Sequence, residues 1–228
     1  MSDIHGCYDK YTAMLDKINL NDSDKLYVLG DVVDRGDYPI KVLQDMMSRK
    51  NVFPIMGNHD YIAAVVLEKL LSELTADDDE THIDKDFMQT MEIWLSDGGY
   101  STFEEIKRLP NEELLNVLKY LKTFAPFKKV TVNGKKFILT HAGLPDSADY
   151  NNLEKYDMFG FVTAKTDYTK IYFEDIFLVT GHIPTGLIDA EYIGRVYRKN
   201  NHIAIDTGAV FGGVLSCVCL ETDEEFYV

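Results

Sequence analysis

An α/β fold, with its functional groups at the carboxyl ends of strands, is predicted from two observations. Apolar strand-like runs alternate with stretches of helical spacing. Four times such a run stops in a polar cluster pairing Gly with Asp, Asn or His: Gly30-Asp31, Gly57-Asn58-His59-Asp60, His141-Ala142-Gly143 and Gly181-His182. The chain has 228 residues, 46% hydrophobic and 27% charged. That is ordinary globular usage, read as one domain, 1–228, whose core needs no disulfide staple.

The elements follow in order. Tyr8, Tyr11, Met14, Leu15 and Ile18 recur at helical spacing, so a helix follows His5-Gly6. Lys25–Leu29 reads as a strand, Val42, Leu43, Met46 and Met47 as a helix face, and Val52–Met56 as a second strand. A long helix is expected from Tyr61 to about Leu74, then a solvated loop at Asp77-Asp78-Asp79-Glu80. Phe87–Leu95, Phe103–Ile106 and Glu112–Leu121 read as further helices. Together they make a helical insert over roughly residues 61–125, between two halves of the α/β core. Asn133-Gly134 between alternating apolar residues predicts a hairpin within Val130–Leu139. Phe177–Thr180 is the strand before Gly181-His182. From Tyr192 to Val228 the pattern predicts a β meander.

The formal net charge is −15, from 38 acidic and 23 basic residues. A field of that sign argues against nucleic-acid or anionic-membrane partners. Cys7, Cys217 and Cys219 cannot form a paired framework. Cys217 and Cys219 are expected as buried residues on one face of a strand, which suits a reducing cytoplasm. No signal peptide and no apolar run of ~18 residues is seen, so neither secretion nor membrane spanning is expected.

With Asp3-x-His5 at the start, the strand-end clusters nominate Asp3, His5, Asp31, Asn58, His141 and His182 as one convergent site. All are oxygen or imidazole ligands, a set that selects Mn, Fe, Zn or Mg over copper(I) or an iron–sulfur cluster. Six ligands exceed what one catalytic ion with open positions needs, and suit two ions sharing a carboxylate.

Asp3-Ile4-His5-Gly6, Gly30-Asp31-Val32-Val33-Asp34-Arg35-Gly36, Gly57-Asn58-His59-Asp60, His141-Ala142-Gly143 and Gly181-His182 resemble the ordered motifs of the phosphoprotein phosphatase family. The likeness is greatest to its small bacterial and bacteriophage lambda-type members. The resemblance implies a calcineurin-like αββα sandwich of two mixed sheets flanked by helices, carrying two divalent ions. Manganese is expected, with iron or zinc as alternatives. By motif, Asp3 and His5 would bind the first ion and Asp31 would bridge both. Asn58, His141 and His182 would bind the second. A hydroxide bridging the ions would be the nucleophile, His59 the general acid, Asp34 its orienting partner, and Arg35 the fork on the phosphoryl oxygens.

Two departures stand out. Only Met1 and Ser2 precede Asp3, where the family has an apolar strand, so fraying of Asp3 and His5 is expected. Lys165, in Ala164-Lys165-Thr166-Asp167-Tyr168, stands where the family has a second phosphate-binding arginine, keeping the charge but not the fork. His82 and His202 are given no role, as solvent-facing and loop or strand-edge residues, and Trp94 is read as core.

The leading expectation is a metal-dependent phosphomonoesterase acting on phosphoserine or phosphothreonine in proteins, or on a small phosphomonoester. The first alternative is a symmetrical bis(5'-nucleosyl)-tetraphosphatase, a subfamily in which the position of Asp34 is usually not acidic. A nuclease or phosphodiesterase ranks lower, because Pro184 stands where those enzymes carry a second histidine. An inactive binding scaffold is the alternative of another class.

Overall fold

The computed structural model describes residues 1–75, 85–145 and 148–228. The expectations for Asp77-Asp78-Asp79-Glu80 and His82 fall outside them. The chain start does not fray. The Met1 amino group donates to the Tyr27 carbonyl at 3.1 Å, Leu29 N–H to the Met1 carbonyl at 2.9 Å, and Asp3 N–H to the Gly30 carbonyl at 3.0 Å. Ser2 and Asp3 are buried. Main-chain pairing, which needs no particular side chain, thus anchors the first motif loop.

Helix α1 (Tyr8–Lys17) buries Tyr11, Met14 and Leu15, the face its spacing predicts. Strand β1 (Leu26–Leu29) is followed by α2 (Pro39–Ser48), whose first residue is a proline that lacks the N–H no helix start can satisfy. Strand β2 (Val52–Ile55) lies parallel to β1, with Leu26 opposite Val52 and Leu29 opposite Ile55. Helix α3 (Asn58–Thr75) starts earlier than predicted and takes the Asn58-His59-Asp60 cluster into its first turn. After it come α4 (Lys85–Trp94), a wide turn at Leu95–Gly99, α5 (Tyr100–Ile106) and α6 (Asn111–Leu121). The helical insert therefore spans Asn58–Leu121.

The second half begins with the predicted hairpin, β3 (Phe127–Val132) and β4 (Lys135–Thr140). Its turn residues Asn133 and Gly134 have φ of 50° and 79°, the pair of positive angles a two-residue hairpin needs. Helix α7 (Met158–Val162), β5 (Ile176–Thr180) and α8 (Thr185–Ile188) follow. The last strands are β6 (Tyr197–Lys199), β7 (His202–Ala204), β8 (Ser216–Val218) and β9 (Glu225–Tyr227).

The meander expected over Tyr192–Val228 is not formed. Strand β7 lies parallel to β5 inside a five-stranded sheet ordered β3-β4-β5-β7-β6, while β8 and β9 pair separately. The stretch at Tyr192 is not a strand either: Ala190–Tyr192 is one short helical turn, started by the Asp189 side chain accepting Glu191 N–H. That local bond competes with sheet pairing. His202, expected at a loop or edge, is buried on β7, with Nε2 at 2.8 Å from the Lys170 carbonyl. Cys217 is buried as expected, but Cys219 is half-buried, and all three cysteines are free.

Strand alternation builds the layers. Phe137, Leu139, Val179 and Ile203 face Leu29 and Ile55 of the β1–β2 sheet. Ile138 and Leu178 point the other way, onto Leu153 and Phe161. On the far side of β1–β2, α1, α2 and the insert form the largest core around Tyr11, Met46, Leu67 and Trp94. This is the αββα sandwich. Among the described residues no helix is long and apolar enough to cross a membrane.

Between the sheets lies a cavity of about 800 Å³, lined by Met1, Tyr27, Leu139, Val179, Cys217 and Phe226 among others. Because Met1 runs alongside β1 at its wall, four or five apolar residues added before Met1 are expected to fill it. A gain of ~1 kcal/mol would raise Tm by about 2–4 °C in a chain of this size. Calorimetry showing an unchanged Tm would mean the added segment stays in solvent.

Candidate active site

Six of the predicted site residues come from loops that share an unusual backbone. Asp3, His5, Asp31, Asp34, Arg35 and His182 all have φ between 43° and 69°. Left-handed non-glycine residues are costly, and they cluster where a site over-determines the chain. The loops also pack too closely for side chains between them: a Cβ on Gly57 would lie 2.2 Å from Asp31 Oδ1.

Asp31, 2% exposed, stands at the centre. Its Oδ2 is 3.5 Å from His5 Nε2 and its Oδ1 is 3.3 Å from His141 Nε2, so its two oxygens face opposite sides. Two groups of ligand atoms, each within 4.8 Å, share it: His5, Asp31 and His59, and Asp31, His141 and His182. Asn58 joins the second through Oδ1, 2.9 Å from His141 Nε2. Asp3 is not in either group. Its carboxylate accepts the His182 main-chain N–H at 3.1 Å, while His59, expected only as an acid, brings a ring nitrogen into the first group, its main-chain N–H donating to Asp31 Oδ1 at 3.1 Å.

The donor set fits divalent cations. His5 Nδ1 lies 2.8 Å from the Val33 carbonyl and His141 Nδ1 lies 2.7 Å from the Leu29 carbonyl. A carbonyl can only accept, so each Nδ1 carries the proton and each Nε2 is turned toward Asp31, the orientation metal-binding imidazoles use. Burial, joined by nearby positive groups and opposed by Asp31, pushes His5 and His182 down to about 4, which keeps them neutral at neutral pH. Burial also opposes charging of His141, but Asp31 beside it outweighs this and pushes it up to about 10. Burial raises the Asp31 carboxyl, yet His141 and His5 together hold it well below the usual carboxylate range. A cation bound here would take the place of the His141 proton.

His59 Nδ1 is 2.8 Å from Asp34 Oδ2. Asp34 is fully buried and fully satisfied: Trp94 Nε1–H donates to Oδ2 at 2.9 Å, the Thr102 hydroxyl donates to Oδ1 at 2.6 Å, and Asp34 N–H donates to Thr102 Oγ1 at 2.9 Å. Burial lowers the His59 pKa, but the Asp34 hydrogen bond and the Asp31 charge raise it above its ordinary value. Arg35 Nη1 lies 2.8 Å from His5 Nε2, and its Nη2 lies 3.3 Å from Asp97 Oδ1. Lys165 is exposed. It is carried beside the His141 loop by Thr166, whose hydroxyl donates to the Ala142 carbonyl at 2.9 Å, and no bond joins it to Arg35 among the described residues.

Several contributors escaped the sequence reading. Asp206, 4% exposed, accepts Gly208 N–H at 2.9 Å and sits close enough to Asp3 to help burial raise that carboxyl. It follows Ile203–Ile205 and precedes a glycine, the same strand-end pattern as the other clusters, and was findable. Asp60 ties two motif loops by accepting N–H from Val32, Val33 and Gly57. Trp94 is core, as read, and also holds Asp34. Trp94→Phe, which keeps most of the ring and removes the N–H, is expected to cost about 1–2 kcal/mol in urea unfolding. A ΔΔG near zero would show that Asp34 does not need that donor.

The family described as calcineurin-like phosphoesterase matches residues 1–213. The asymmetrical bis(5'-nucleosyl)-tetraphosphatase PrpE of Halalkalibacterium halodurans is 25% identical over 96% of this chain and 87% of its own length. Its namesake in Bacillus subtilis is 26% identical over 95% and 87%. A symmetrical bis(5'-nucleosyl)-tetraphosphatase of Buchnera aphidicola is 44% identical over 62 residues, 26% of this chain and 23% of that protein. Among solved structures, a proposed diadenosine tetraphosphatase superposes with a TM-score of 0.65 at 18% identity, covering 100% of this chain and 90% of its own. A Saccharomyces cerevisiae protein serine/threonine phosphatase does so with 0.57 at 12% identity, covering 100% and 78%. Both likenesses speak of fold alone.

Proposed function

The chain belongs to the calcineurin-like phosphoesterase family, and within it we propose that this enzyme hydrolyses bis(5'-nucleosyl) tetraphosphates. One observation carries the proposal: the similarity to named tetraphosphatases runs through at least 95% of the chain. The alternative raised by the sequence is thereby better supported than the leading expectation of a protein serine/threonine phosphatase. The near full-length relatives carry the asymmetrical name, so the position of the cut is part of the test.

His5 and Asp31, with Asp3, would hold one ion, and Asp31, Asn58, His141 and His182 the other. Bound there, divalent ions supply a nucleophile at neutral pH and neutralise phosphate charge. The chain's own residues do the rest. Arg35 gives up Asp97 and His5 Nε2, which frees that nitrogen for the ion, and orients the phosphoryl oxygens with its planar fork. His59 gives a proton from Nε2 to the leaving oxygen, and Asp34, holding Nδ1–H, fixes the tautomer that makes this possible. Lys165 adds a second positive charge beside the His141 loop.

The test is product analysis with manganese and diadenosine tetraphosphate, run beside a phosphoserine peptide. ATP plus AMP is expected; two ADP would make the enzyme symmetrical. A higher kcat/KM on the peptide would overturn the proposal. Lys165→Ala is expected to lower kcat/KM about fivefold, and Lys165→Arg to raise it by a similar factor, the scale of ~1 kcal/mol for one solvent-exposed hydrogen bond. Both variants within twofold of the parent would remove Lys165 from the site.

A further inference from the structure

Beside the phosphate-gripping arginine stands an aromatic ring that the mechanism does not use. Phe211 is 66% exposed, yet the main chain of its loop is tied down by hydrogen bonds. It closes a single helical turn, Ala209–Phe211, flanked by Gly208 and Gly212 at φ of 75° and 84°. Lys10 Nζ, reaching over from α1, donates to the Ala209 carbonyl at 2.7 Å and the Gly213 carbonyl at 2.6 Å. Gly213 N–H donates to the Gly208 carbonyl at 2.9 Å, and the Thr207 hydroxyl to the Val214 carbonyl at 2.6 Å. The loop leaves the site directly, through Asp206.

Single exposed apolar side chains are commonplace and need no explanation. Phe211 differs in its neighbour. The Arg35 guanidinium carbon lies 5.3 Å from its ring centroid, so ring and phosphate fork form one continuous surface. A phosphate held by Arg35 would place whatever it esterifies within reach of the ring. An aromatic face held rigid in solvent offers a stacking partner without an ordering cost.

We propose that Phe211 is the platform on which a nucleobase of the substrate stacks, so that the site selects nucleoside 5'-polyphosphates over phosphoamino acids. This rests on the tetraphosphatase reading and names what in the chain would recognise the nucleoside.

The test uses AMP, ribose 5-phosphate and inorganic phosphate as competitive inhibitors of p-nitrophenyl phosphate hydrolysis by the manganese-loaded enzyme. AMP is expected to inhibit about tenfold more strongly than ribose 5-phosphate, the scale of one base on an aromatic ring. Phe211→Ala should bring the two inhibition constants within twofold of each other, and Phe211→Trp should keep them apart. An AMP preference that survives Phe211→Ala, or none in the parent enzyme, overturns the proposal. Turnover of diadenosine tetraphosphate is scored separately. Failure to cleave it, with an AMP preference that depends on Phe211, would sink the tetraphosphatase reading and leave the platform standing. Cleavage without that dependence would do the reverse.

Discussion

Asp31→Asn is expected to empty both metal positions together and abolish turnover. The two Asp31 oxygens face His5 on one side and His141 on the other, and among the described residues Asp31 alone belongs to both groups. An amide offers one oxygen and no charge, and it leaves His141 without the partner that opposes its burial. Breaking a buried pair in this way costs about 3–5 kcal/mol. The fold should tolerate the loss only in part, so circular dichroism and elemental analysis belong beside the kinetics. Two full equivalents of metal in a folded Asp31→Asn variant would refute the bridging role.

His59→Asn is expected to separate substrates by their leaving groups. Removing a general acid costs typically ~10²–10⁴ in kcat when the leaving oxygen must be protonated. A serine alkoxide needs that proton; nitrophenolate and a departing nucleotide phosphate need far less. The loss should therefore be largest on a phosphoserine peptide and small on p-nitrophenyl phosphate and diadenosine tetraphosphate. An equal loss on all three would reassign His59 to metal binding alone, a role its place within 4.8 Å of His5 and Asp31 also permits. Metal content measured on the same variant distinguishes the two.

Much of this site is legible in one sequence because α/β folds deliver strand ends to one place. Asp31, His141 and His182 each follow a strand, and the structure brings them together. The contact of Asp3 is not legible, since a carboxylate at a loop start can face either a cation or a neighbouring N–H, and here it accepts the His182 N–H. Trp94 and Thr102 reach Asp34 across 60 and 68 residues, and no local pattern announces such a meeting. It depends on how the insert folds back. The closing strands failed for a similar reason: alternation says which residues are apolar, but β7 joins β5 through a crossover that alternation does not encode.

The grip of the insert on Asp34 has a consequence for engineering. The Gly98 carbonyl accepts Arg35 N–H at 2.8 Å, so the stretch from Trp94 to Thr102 holds both Asp34, the partner of His59, and Arg35. A Cβ on Gly98 would meet Arg35 Cγ at 2.5 Å, and one on Gly99 would meet the Trp94 ring at 2.5 Å. Outside the first turn of α3, which carries Asn58, His59 and Asp60, the surrounding helices supply packing, whereas this nine-residue span also binds site residues. A chimera that exchanges the insert with a relative's keeps its chemistry only if residues 94–102 travel as one piece with the loop bearing Asp34 and Arg35. In this enzyme the natural seam for recombination runs through the helices, and not between the insert and the core.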